Sequence, residues 1–84
     1  MKMCLITFRS VTPAQRAEKA LGEKGIPCAL QRTPRWMQEQ GCGYSLRLSA
    51  GGISGAVAFL QHRKIPYRKI YCAGEKGGWE EMEL

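Results

Sequence analysis

The sequence holds a single histidine, His62, and no C-x-x-C pair among its cysteines, which stand at positions 4, 28, 42 and 72. Tetrahedral zinc sites need clustered Cys and His ligands, so a zinc-finger reading has little to stand on. No stretch comes near the roughly 18 apolar residues that span a bilayer. The apolar run at 3–8 is short, and Arg9 ends it with no small-residue cleavage site after it, which argues against a signal peptide. A cytoplasmic protein is expected, and there cysteines stay thiols rather than structural disulfides. Acidic residues are also scarce through most of the chain. Residues 1–74 hold twelve Lys/Arg against only Glu18, Glu23 and Glu39, a balance of +9, while residues 75–84 carry Lys76 against Glu75, Glu80, Glu81 and Glu83, a balance of −3.

What is there is enough for one small domain. A chain of 84 residues buries a thin core, so a shallow site on a loop or sheet edge is more realistic than a deep, many-layered pocket. The basic body suits anionic partners, whether nucleic acid, acidic protein or a small oxyanion, and the acidic tail could shield it. The plainer reading is a surface charged for solubility.

Residues 3–8 (Met-Cys-Leu-Ile-Thr-Phe) are a continuous apolar run, as in a strand covered on both faces. A helix start follows, with Thr12 as N-cap, Pro13 at N1 and Gln15 completing a capping box. Ala14, Ala17, Ala20 and Leu21 form its apolar stripe, Gly25 stops it and Pro27 prevents its return. Cys28–Arg32 reads as a short strand and residues 33–42 as a loop. Tyr44, Leu46 and Leu48 alternate with Ser45 and Arg47, the pattern of a strand with one buried face. After Gly51-Gly52, the spacing of Ile53, Ala56, Val57 and Leu60 predicts a second helix, and residues 67–72 a last strand. Residues 1–73 then make one domain, and 74–84 a loose, Gly-rich, acidic tail pinned by Trp79.

The two halves repeat at an offset of 39 residues: Ala17 matches Ala56, Leu21 matches Leu60, and Ile26-Pro27 matches Ile65-Pro66. Two tandem βαβ units predict an α+β, ferredoxin-like βαββαβ fold, a two-layer sandwich whose antiparallel sheet has the order 4-1-3-2. The first and third strands are expected parallel at its centre. On that geometry Cys4, Cys42 and Cys72 gather toward one edge of the sheet and Cys28 lies toward the other.

Cys4, Cys28 and Cys72 lie in or beside apolar strand sequence, where cysteine usually acts as a small buried hydrophobe. Cys42 differs. Gly41 and Gly43 flank it, leaving it uncovered and permitting backbone angles that aim N–H groups at the sulfur. Arg35 and Arg47 are near in sequence, and Arg9 and Arg32 are within reach of the same region. Positive charge and N–H donors favour thiolate, the nucleophilic form. A tight turn that happens to contain Cys remains the alternative. Trp36 and Met37 could wall the site, although bulky loop anchors are the commoner use of such residues. Tyr44, Tyr67 and Tyr71 read as core or sheet-face residues.

The stretches Leu5-Ile6-Thr7-Phe8, Glu18-Lys19-Ala20-Leu21, Gly25-Ile26-Pro27-Cys28, Cys42-Gly43-Tyr44-Ser45-Leu46-Arg47 and Ile65-Pro66-Tyr67 resemble the putative selenium/sulfur carrier protein-like family over about residues 3–72. The resemblance implies a carrier: Cys42 would hold the chalcogen and Gly43 would shape its loop. Donor and acceptor proteins in sulfur or selenium transfer are the implied partners, with no cofactor, no metal and no membrane. Cys4 or Cys72 is then a candidate resolving thiol that releases the cargo through a transient disulfide. Such a protein is a carrier more than a turnover enzyme. The alternative is a binding module without chemistry, using a sheet face for single-stranded nucleic acid or another anion. The third strand lacks the aromatic-rich pattern that use requires, so nucleic acid is the less favoured partner.

Overall fold

The computed structural model describes residues 3–33, 43–74 and 78–82. The chain runs β1 (Met3–Phe8), α1 (Val11–Glu23), β2 (Ala29–Arg32), β3 (Tyr44–Ser49), a 3-10 turn (Ala50–Gly52), α2 (Ile53–His62), β4 (Ile70–Ala73) and β5 (Trp79–Met82). Both helices lie on one face of the sheet. Cys4, Ile6 and Phe8 of β1 and Leu46 and Leu48 of β3 pack there against Ala14, Ala17, Ala20 and Leu21 of α1 and Ile53, Ala56, Val57 and Leu60 of α2. Among the described residues no helix is long and apolar enough to cross a membrane.

The α+β class holds, but the sheet differs from the four-stranded 4-1-3-2 arrangement expected. It has five strands in the order β2-β3-β1-β4-β5. The first four strands keep the neighbours expected of them, and the difference is β5, which pairs antiparallel with β4 in the region read as a loose tail. Its sequence, Trp-Glu-Glu-Met, is a poor strand former, yet β4 would otherwise present an unpaired row of backbone groups, and pairing satisfies them.

The expectation that β1 and β3 run parallel is also overturned. They pair antiparallel, with Met3 opposite Ser49 and Phe8 opposite Tyr44. The cause is topological: β2 and β3 pair antiparallel across the intervening segment, so β3 must oppose the direction β1 and β2 share.

Local signals explain most boundaries. Helix α1 begins one residue before Thr12: Ser10 is the N-cap, in extended backbone, and makes no side-chain capping bond. Pro13 therefore sits at N3, where its missing N–H costs nothing because the first-turn donors have no partner within the helix. At the other end the chain closes a Schellman motif. Ile26 N–H donates to Leu21 O (2.9 Å) and Gly25 N–H to Gly22 O (3.1 Å), with Gly25 at φ 84°. Helix α2 repeats it, Ile65 N–H to Leu60 O (2.9 Å) and Lys64 N–H to Gln61 O (3.1 Å), with Lys64 at φ 57°. The 39-residue repeat thus extends to the helix stops, glycine in one copy and lysine in the other.

Strand β4 starts later than expected because a β-bulge precedes it. Both Arg68 and Lys69 face Thr7: Arg68 N–H donates to Thr7 O (2.8 Å), Thr7 N–H to Lys69 O (2.8 Å), and Lys69 N–H to Thr7 Oγ1 (3.0 Å). Two residues opposing one is what shifts the regular ladder to Ile70.

Candidate functional site

The segment that carries Cys42 is tied off at its base. Thr33 N–H donates to Gly43 O at 3.0 Å, so the two residues that bracket 34–42 are held together. Both are buried. A side chain at position 43 would begin 3.3 Å from Thr33 Oγ1 and 3.4 Å from Phe8 O. Gly43 does not adopt positive φ. Its glycine is needed for space against the end of β1 rather than for an unusual backbone angle, which corrects the reason read from the sequence. The sequence places Thr33 at the start of a loop, and its position immediately after β2 is the signal that marks it. Cys42, Gly41, Arg35, Trp36 and Met37 lie outside the described residues.

The sheet end to which Gly43 is anchored is rich in cationic groups. Arg9, exposed, follows Phe8 directly. Arg9, Ser10 and Pro13, at the start of α1, and Pro66, Tyr67 and Arg68, before β4, enclose a cavity of about 390 Å³. The first turn of α1 contains no acidic residue, so its N–H groups add positive potential at this end. Arg32, the last residue of β2, lies over the Tyr44 ring at 5.9 Å from its centroid. Arg47 is exposed, but it pairs with Leu5 in mid-sheet. It stands four residues along β3 from Gly43, or about 13 Å. Of the arginines near position 42 in sequence or by topology, Arg9 is thus anchored closer to Gly43 than Arg47 is.

The described tyrosines divide between the two faces of the sheet. Tyr44 and Tyr67 pack against the helix-side core. Tyr71 pairs with Leu5 on the opposite face, where Leu5, Thr7 and Ser45 are all buried.

The other cysteines depart from expectation in two ways. Cys4 and Cys72 are opposite each other in the β1–β4 pair and are joined by a disulfide. The expectation of free thiols rested on compartment, and register overrides it here by bringing the two sulfurs together. The antiparallel pairing keeps Cys4 with Cys72, as expected, but exchanges the ends expected of Cys28 and of the residues before β3. Cys4, Cys72 and the start of β2, preceded by Cys28, lie at one end of the sheet, and Gly43 lies at the Phe8 end. Phe8 is four residues from Cys4 along β1, about 13 Å. The basis on which Cys4 and Cys72 were expected beside position 42 is therefore removed.

Cys28 is the free thiol among the described cysteines and is half-buried. Burial pushes its pKa above the ordinary cysteine value, and the nearby Glu18 carboxylate pushes it further in the same direction. Glu18 is fixed there partly because its Oε2 accepts the Leu30 N–H at 3.3 Å. Cys28 is accordingly held as the protonated, weakly nucleophilic thiol.

The model of the family described as "Putative Se/S carrier protein-like" matches residues 3–72. The chain belongs to this family. The matched span includes Cys42-Gly43 and every described element except the final residue of β4 and all of β5. No curated protein and no solved structure matches the chain. Membership agrees with the resemblance read from the sequence.

Proposed function

We propose that the protein carries sulfur or selenium on Cys42 as a persulfide or selenopersulfide and passes it to an acceptor protein. The observation that carries this reading is membership of the Se/S carrier protein-like family over a span that includes Cys42-Gly43. The state of the other cysteines supports it, since Cys4 and Cys72 are bonded to each other and Cys28 is held protonated. The cationic end of the sheet supports it too. Arg9 and the first turn of α1 flank the anchor of the 34–42 segment, where Arg35 and Gly41 also belong, and positive potential lowers the cost of ionising a thiol.

In the loading step, the Cys42 thiolate attacks the terminal sulfur of a donor persulfide. A bond forms between Cys42 Sγ and that sulfur, the donor's S–S bond breaks, and the donor leaves as a thiolate. Delivery is the same displacement with an acceptor thiolate as nucleophile. The fixed base formed by Thr33 and Gly43 gives the cysteine a constant point of departure from the sheet. Arg47, farther along β3, contributes longer-range positive potential.

The test is incubation with a cysteine desulfurase and cysteine or selenocysteine, followed by intact mass and peptide mapping. One added sulfur or selenium on Cys42, absent in Cys42→Ser, is the expected result. No adduct on Cys42 overturns the proposal. Salt-sensitive oligonucleotide binding unchanged in Cys42→Ser would then point to the non-catalytic binding module instead.

A further inference from the structure

The Cys4–Cys72 bridge is unequal on its two sides. Cys4 is completely buried beneath the helices, whereas Cys72 retains 7% exposure. Cys72, and not Cys4, lines a groove of about 990 Å³ between the β4–β5 hairpin and the start of α2. One wall is Trp79, Glu80 and Met82 from β5, and the other is Ile53 and Ser54 from the first turn of α2. The groove is at the upper end of the size range that holds a small organic ligand. The α2 wall has no acidic residue in its first turn and no side-chain cap at Gly52. The Ile53 N–H there is already donated to Ala50 O by the 3-10 turn.

We propose that this bridge is a second chemical centre, a disulfide that exchanges with small thiols entering through the groove, with Cys72 the sulfur attacked and Cys4 the sulfur released. A thiolate R–S⁻ forms a bond to Cys72 Sγ, the Cys72–Cys4 bond breaks, and Cys4 leaves as a thiolate that takes a proton from solvent. A second R–S⁻ attacks the R sulfur of the mixed disulfide, releasing R–S–S–R and the Cys72 thiolate. The small thiol is thus oxidised by two electrons in all and the bridge is reduced. Burial of Cys4 keeps incoming thiols away from that sulfur, so the mixed disulfide forms on Cys72 alone. The centre stands apart from position 42, because the anchor at Gly43 is at the far end of β1, and it does not depend on the carrier reading.

The probe is reduced glutathione, added to the folded protein in a Cys28→Ser/Cys42→Ser background, with alkylation quench and peptide mapping over time. The expected result is one glutathione on Cys72 with Cys4 alkylated. Ser54→Phe, which narrows the groove at an exposed position of α2, should slow the exchange by about tenfold while leaving the thermal midpoint unchanged. Glutathione found on Cys4, exchange only after denaturant is added, or an unchanged rate in Ser54→Phe each overturns the proposal. Because Cys42 is absent from this background, failure here leaves the carrier test intact, and failure of the carrier test leaves this one intact.

Discussion

Lys64 holds the left-handed backbone position that closes α2, at φ 57°, while its repeat counterpart Gly25 closes α1 at φ 84°. A residue with a Cβ held in that conformation costs about 1–2 kcal/mol. Glycine escapes this but loses more freedom on folding, at a cost of about 0.5–1 kcal/mol. The difference predicts that Lys64→Gly stabilises the protein by about 0.5–1 kcal/mol. A domain of this size shifts its Tm by about 4–8 °C per kcal/mol, so a rise of about 2–8 °C is expected. Gly25→Ala should move the other way by a similar amount, and cleanly, because a Cβ there would meet nothing within 4 Å. Thermal unfolding by circular dichroism of wild type and the two variants measures both. A lowered Tm in Lys64→Gly, or an unchanged one in Gly25→Ala, would refute the claim that backbone conformation governs these two helix stops.

Three further outcomes are expected. The disulfide joins residues 68 apart in sequence, and closing a loop of that size removes unfolded-state entropy worth about 4 kcal/mol; urea unfolding of wild type with and without a phosphine reductant should differ by about that amount. Gly43→Ala forces a Cβ against Thr33 Oγ1 and the Phe8 carbonyl and should cost about 1 kcal/mol of stability, and persulfidation of Cys42 should fall with it, as read by intact mass. In a Cys42→Ser background, alkylation of Cys28 should be slow at neutral pH and accelerate only above the pH at which an ordinary cysteine ionises, since its pKa is raised; Glu18→Gln removes one of the two causes and should move that rise to lower pH.

The parts of the fold legible in the sequence were those fixed by short-range chemistry. β1 was bounded correctly because a run that is apolar but for Thr7 ends at Arg9, and the stop of α1 because Gly25 suits a left-handed position. The stop of α2 was missed as a motif, since lysine there carries no such signal even though the hydrogen bonds match. The start of α1 differs by two residues: Thr12 and Gln15 fit a capping box, but the chain turns immediately after β1 and makes Ser10 the cap. β5 was illegible because its two glutamates argue against a strand and only the open edge of β4 recruits it. Cysteine placement was legible in part. Cys4 and Cys72 share one end of the sheet as expected, but the end at which Cys28 and Gly43 lie depends on the direction of β3, which no residue near a cysteine signals. The close approach of Gly43 to Phe8 O is visible only in three dimensions.

The hydrogen bond between Thr33 and Gly43 has a bearing on engineering. Because it fixes both exits of residues 34–42 at one buried point, the sheet meets the same pair of attachment points whatever chain is strung between them. Doubling the length of such an insert adds only about 0.6 kcal/mol of closure entropy. The domain should therefore accept segments of other lengths and compositions at this position as a cassette.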